Sequence, residues 1–175
     1  DEVAKIRARI GRFVLINTNF GYVNHYFPKM GARYLIQSAQ AALGADHDGG
    51  SAAHAHSSEI FRAFREMLPA LARRFPDFTF VVRPHPSESH EVWQQAAAGL
   101  DNARVIHEGN VVPWLIAAEA LIHNGCTTAF ESYLLGTPAI TYRPVESEQF
   151  DLHLPNALSY ASNDLDGVIE LVDAA

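Results

Sequence analysis

The arginine and histidine of the segment Arg83-Pro84-His85-Pro86 are suited by type and spacing to grip a phosphate. The arginine offers a planar fork of donors, the histidine can donate to a phosphoryl oxygen or hand it a proton, and the flanking prolines hold the loop rigid. The apolar run FTFVV at 78–82 precedes them and reads as a buried strand. The pair therefore sits at a strand's carboxyl end, where open α/β sheets bind their ligands. An ordinary polar turn is the bland alternative. A second phosphate seat is readable in HNGCTT at 123–128, between an apolar run and the start of a helix. Free amides and the helix dipole attract anions there, Gly125 lets the backbone approach closely, and the hydroxyls of Thr127 and Thr128 add donors. The competing reading is that one of these threonines caps the helix, worth about 1 kcal/mol without any ligand. Glu131, one turn further on, can accept hydrogen bonds from a ribose diol, although a lone helical Glu is usually just solvated.

A third loop, HEGNVVPW at 107–114, carries Glu108 and Asn110 and is placed to present polar groups to a nucleobase; Trp114 reads as core. Asp46, His47, Asp48, His54 and His56 have the chemistry of divalent-metal ligands. Their Gly, Ala and Ser surroundings and irregular spacing read instead as a loop. Cys126, at a helix start, could be an activated nucleophile, but packing is the plainer reading of a cysteine with no evident His and Asp partners.

Strands and helices must alternate to bring these loops together. Apolar runs at 13–16, 78–82, 104–107, 120–123 and 138–142 read as strands. Helical spacing of apolar residues places helices over 60–75, 88–98, 112–118, 127–135 and 165–172. Ser57 or Ser58 is a cap candidate for the first of these, Pro113 a starter for the third, Gly136 a stop for the fourth, and Asn163 or Asp164 a cap for the last. Pro69 inside the first predicts a kink or a restart. Residues 20–58 read as one long loop. Strand–helix alternation with short turns implies right-handed crossovers and a doubly wound, mostly parallel Rossmann-like sheet.

Composition bounds the partners. The 175 residues, 48% hydrophobic, suffice for one core and one domain. A formal net charge of -7 argues against a nucleic-acid or anionic-membrane surface, so any phosphate binding must be local. The single cysteine rules out an internal disulfide and points to a reducing, cytoplasmic setting. No apolar run approaches the ~20 residues that cross a bilayer. The chain opens on Asp1, with no initiator methionine, which is expected of an excerpt from a longer polypeptide.

The segments FTFVVRPHPSE, NARVIHEGNVVPWLIAAEALIHNGCTTAFESYLLGTPAITYRPV and LPNALS resemble the C-terminal, donor-binding half of GT-B glycosyltransferases. More narrowly, they resemble bacterial surface carbohydrate biosynthesis proteins, related to the Kdo transferases of capsule and lipopolysaccharide assembly. The arginine and His-Pro element is similar to one in CDP-glycerol polymerases and bacterial sialyltransferases, whose donors carry a cytidine nucleotide. The resemblance covers about the last two thirds of the chain. It implies a pyrimidine-linked sugar donor and a glycan acceptor. Arg83, His85, Gly125, Thr127 and Thr128 would then hold the donor phosphate, with His85 a catalytic candidate. Glu131 would hold the ribose, and Glu108 and Asn110 would border the base. No metal or cofactor is implied. Residues 17–25 would face the cleft, an N-terminal half would supply the base or nucleophile, and any peripheral inner-membrane attachment would lie in the rest of the chain. A nonhydrolysing nucleotide-sugar epimerase and a non-catalytic nucleotide-sugar binding module are the alternatives.

Overall fold

The computed structural model describes residues 1–27 and 49–175. Its elements run α1 (Glu2–Ile10), β1 (Phe13–Asn17), α2 (Gly49–Arg74), β2 (Thr79–Arg83), α3 (His90–Ala97), β3 (Ala103–Val105), α4 (Val111–Ala117), β4 (Ala120–His123), α5 (Thr128–Leu135), β5 (Ala139–Tyr142), α6 (His153–Ala157), β6 (Tyr160–Ser162) and α7 (Leu165–Asp173). All six strands pair in parallel, in the order β3-β2-β1-β4-β5-β6. From β1 the chain winds outward to β3, then returns to the middle at β4 and winds the other way. The reversal falls between β1 and β4, which places the topological switch point there.

The two faces of the sheet follow from residue parity. Val14, Ile16, Phe80, Val82, Ile122 and Ile140 face α2, α3 and α7, while Phe13, Leu15, Val81, Leu121 and Ala139 face α1, α4 and α5. Each large apolar side chain fully buried this way contributes about 1.5–3 kcal/mol. With both faces covered, the central strands are apolar throughout rather than alternating. Polarity enters only at the carboxyl edge. Arg83, Asn17, His123 and Thr141 stand side by side in the paired register, all on the α1/α4/α5 face and all buried.

The strand expectations hold to within about two residues, and a mostly parallel sheet becomes an entirely parallel one. The long loop is corrected: α2 starts at Gly49, inside the span read as loop, so Ser57 and Ser58 are helix interior rather than caps. Pro69 sits inside α2 without ending it. Buried Met67 and Leu68 on one side and Leu71 and Ala72 on the other hold the helix to the sheet across the lost hydrogen bond. α1, α6 and β6 had no counterpart in the sequence reading.

Candidate functional site

A cleft opens at the carboxyl ends of β1, β4 and β5, over the switch point. Its walls are Asn19, Phe20 and Tyr22 after β1, Asn124 and Gly125 after β4, Tyr142 and Arg143 at the end of β5, Asp151 and Asn156 beyond it, and His56 from α2. A second recess, lined by Asn19, Gly21, Tyr22, His25, His85 and Ser87, shares Asn19 and Tyr22 with the first. The two adjoin through Asn19 and Tyr22 and together follow the carboxyl ends of four strands, β2, β1, β4 and β5. Of residues 17–25, expected to face the cleft, Asn19 to Tyr22 and His25 line it, while Asn17, Thr18 and Asn24 are buried.

Glu88 fixes the β1 and β2 loops. The residue is 1% exposed, and among the described residues no cation pairs with its carboxylate. Oε1 accepts from Thr18 Oγ1 at 2.8 Å, from the Phe20 amide at 3.1 Å and from the His85 amide at 3.1 Å. Oε2 accepts from Trp93 Nε1 at 2.9 Å. Donors in this number replace the water lost on burial. Asn19 and Asn124 tie β1 to β4: the Asn19 amide donates to Asn124 Oδ1 at 2.9 Å. His85 is thereby set in the recess. Its Nδ1 accepts from the Ser87 amide at 3.2 Å and lies 2.8 Å from Ser87 Oγ, which leaves Nε2–H as the outward donor.

Arg83 has a different role from the one expected. Parity turns it toward α4, where it is 7% exposed. Nη1 donates to the Glu108 carbonyl at 2.7 Å and Nη2 to the Gly109 carbonyl at 2.6 Å, with the guanidinium 6.0 Å from the Trp114 ring centroid. Burial pulls its pKa below the ordinary value, and the nearby Glu108 carboxylate opposes that fall. Arg83 thus braces the β3–α4 loop instead of reaching into the cleft. Trp114 is core, as expected, and its Nε1 donates to the Glu108 carbonyl at 3.1 Å.

Glu108 and Asn110 lie on this β3 side as well. Glu108 pairs with Arg9 at 2.9 Å, and Asn110 caps α4 by accepting from the Val112 amide at 2.8 Å. Gly125 lines the cleft with φ of +79°, a conformation that favours glycine. Thr127 occupies the N-cap position of α5 without a side-chain capping bond. Thr127, Thr128 and Glu131 line neither recess.

His123 is the chief feature the sequence reading passed over in the second seat. Fully buried, it accepts at Nδ1 from the amides of Gly125 at 3.0 Å and Cys126 at 3.3 Å. Its Nε2 faces Ser159 Oγ at 2.8 Å, and that hydroxyl donates to the Pro155 carbonyl. The ring is therefore the Nε2–H tautomer, and burial lowers its pKa to about 4. Two amides expected to be free for an anion are occupied by it. Beside it, Thr141 Oγ1 donates to Asn156 Oδ1 at 2.8 Å, which locks the LPNALS segment onto the sheet edge.

The cleft's cation is Arg143, which the sequence reading did not single out. Nη2 donates to Asp151 Oδ2 at 2.6 Å, and Nη1 lies 3.4 Å from Glu146. An Arg-Pro step after an apolar run occurs at 143–144 as it does at 83–84, and that repetition was the available signal. Of the metal-ligand candidates, Asp46, His47 and Asp48 lie outside the described residues. His54 bonds Ser58 Oγ at 3.3 Å and His56 meets Asp151 at 2.9 Å; among the described residues no three such groups gather. No helix among them is long and apolar enough to cross a membrane.

The winding reversal at β1/β4, with the cleft over it, decides the fold. It is a Rossmann-like domain of the kind that forms one half of a GT-B architecture. The solved structures agree. E. coli heptosyltransferase WaaC with ADP superposes with a TM-score of 0.54 at 12% identity, over 94% of this chain and 44% of its own. Methanocaldococcus jannaschii UDP-GlcNAc 2-epimerase, in complex with UDP-GlcNAc and UDP, gives 0.58 at 11% identity, over 99% and 41%. The Neisseria meningitidis UDP-GlcNAc 2-epimerase bound to UDP-GlcNAc gives 0.53 at 13% identity, over 98% and 38%. The chain thus spans less than half the length of each. No family model and no curated protein matches the sequence.

Proposed function

We propose that this chain is the nucleotide-sugar binding half of a glycosyltransferase that builds bacterial surface polysaccharide. One observation carries the reading: two adjoining recesses over the switch point, where doubly wound sheets bind nucleotides, with Arg143 and His85 in their walls. In them the Nε2–H of His85 and the guanidinium of Arg143 are the donors for the donor's phosphates, and Gly125, whose amide is held by His123, lets the donor approach the backbone closely. Arg83, Glu108 and Asn110 shape the β3–α4 loop that borders the base. Electrostatic stabilisation of the departing nucleotide is the mechanism such a site supports. The sequence resemblance to proteins with cytidine-linked donors favours a pyrimidine nucleotide.

Calorimetry against CMP, CDP, UDP and GDP tests the reading. Saturable binding of at least one, weakened by His85→Ala, is expected; no binding of any would end it. An epimerase reading fits the same fold, since two of the structures that share it are UDP-GlcNAc 2-epimerases. Nucleotide released only when glycan acceptor is present marks a transferase, whereas an altered sugar at an unchanged donor marks an epimerase.

A further inference from the structure

We propose that His56 is a general base, held by Asp151 at the wall of the switch-point cleft, that takes the proton of an acceptor hydroxyl as it attacks the donor sugar. The proposal rests on the glycosyltransferase reading above. His56 Nε2 lies 2.9 Å from Asp151 Oδ1, and the two side chains are 12% and 8% exposed. They come from α2 and from the segment after β5, 95 residues apart, and both line the cleft. Asp151 is itself fixed: its Oδ2 accepts from Arg143 Nη2 at 2.6 Å and from the Ser147 amide at 3.0 Å. Burial alone would raise its carboxyl, but the Ser147, Arg143 and His56 donors outweigh burial and leave it below the ordinary value. Asp151 is therefore an acceptor only.

The hydrogen between the two groups therefore sits on His56 Nε2, and in the neutral imidazole the lone pair is on Nδ1. No hydrogen bond engages Nδ1 among the described residues. The Phe150 ring, with centroids 5.6 Å apart, packs against the imidazole and fixes its plane. The charged groups facing the imidazole are Asp151 and, behind it, Arg143, with Glu146 on the far side of that guanidinium. A nitrogen base oriented by a carboxylate, itself oriented by a third group, is the arrangement that activates a hydroxyl nucleophile. In the step assigned to it, the acceptor oxygen bonds to the anomeric carbon while its proton moves to Nδ1. The bond from that carbon to the donor's phosphate oxygen breaks, and its electron pair leaves with the nucleotide. Asp151 balances the imidazolium until the proton passes to solvent.

The test uses the full-length protein, CMP-, CDP-, UDP- and GDP-linked sugars with a glycan acceptor, and release of free nucleotide as the readout. His56→Gln keeps an N–H for Asp151 but lacks the basic nitrogen. It should lower kcat by about 100-fold or more while KM for the donor and calorimetric nucleotide affinity stay within about twofold. His56→Ala should lose as much and recover part of it on addition of free imidazole, a response that a purely structural histidine would not give. A folded His56→Gln variant with a kcat within about threefold of the parent overturns the proposal, as does His56→Ala that imidazole leaves unchanged. Binding of none of the nucleotides would instead defeat the glycosyltransferase reading itself. Nucleotide bound by the parent, yet released from no donor in the presence of acceptor, would defeat the transferase reading and the general base with it, whereas a His56→Gln variant that turns over like the parent defeats the general base alone.

Discussion

Arg83 and His123 are neighbours but one in the carboxyl-edge row, and both act on backbone rather than on ligand. Arg83→Ala leaves the Glu108 and Gly109 carbonyls without their fork. It should lower unfolding free energy by about 1.5–3 kcal/mol, the range for hydrogen bonds to a charged group. Arg83→Lys should recover only part of this, since an ammonium cannot span two carbonyls as a planar fork does. Urea denaturation decides it: an unchanged midpoint for Arg83→Ala would return the residue to a ligand-binding role. For His123 the sign follows from its lowered pKa, about 4 in the fold against an ordinary 6.5. Its neutral form is the native one, so its contribution is complete above about 6.5 and is lost as pH falls from there toward 4. The loss should approach about 3 kcal/mol. His123→Gln should flatten the stability profile across that window, and an equally steep profile in the variant would assign the acid sensitivity elsewhere.

At the scale of elements, Glu88 is the joint between the loops after β1 and β2. Glu88→Gln sets an amide NH2 against groups that already donate, so destabilisation of about 2–3 kcal/mol is expected. The His85 and Phe20 amides should also exchange hydrogen faster, because both lose their acceptor. Unaltered exchange at those amides would show that the loops hold without it. Pro69→Ala restores a helical N–H opposite the Arg65 carbonyl and should raise the melting temperature, by the equivalent of about 1–3 kcal/mol. A lower melting temperature would mean that the proline ring supplies packing that α2 needs. These elements were unequally legible. β1, β2, β4 and β5 are apolar runs bounded by turn residues, because strands buried on both faces must be. β6 has three residues with two exposed, and α6 has five with Pro155 inside, so neither could imprint a periodic pattern. The first ten residues of α2, GGSAAHAHSS, carry no apolar stripe. They are joined to the cleft by polar contacts such as His56 with Asp151, which span 95 residues and leave no local trace. The positions of the strand-end loops were readable, whereas the direction of each side chain was set by register. Arg83 pairs with Asn17 and so shares the parity of Leu15 and Val81, facing α4 and not the cleft.

The whole molecule presents an open carboxyl edge bearing all the groups assigned to the donor. It spans 44%, 41% and 38% of the solved structures it resembles in fold. Net charge of -7 disfavours nonspecific capture of an anionic donor, so affinity for one would have to come from the local pair of His85 and Arg143. On the reading proposed above, that pair would hold a nucleotide without help from a second domain. Transfer demands more, because much of the rate comes from fixing the acceptor hydroxyl against the anomeric carbon, and that requires groups on both sides of a cleft. We therefore expect the 175-residue chain alone to bind a pyrimidine nucleotide weakly and to transfer no sugar, while the full-length protein does both. The general base proposed at His56 would be present in each, so the difference would measure acceptor positioning rather than proton transfer. Release of nucleotide from a sugar donor by the isolated chain, dependent on added acceptor, would contradict this and would place the acceptor site within these residues, next to His56 and Asp151.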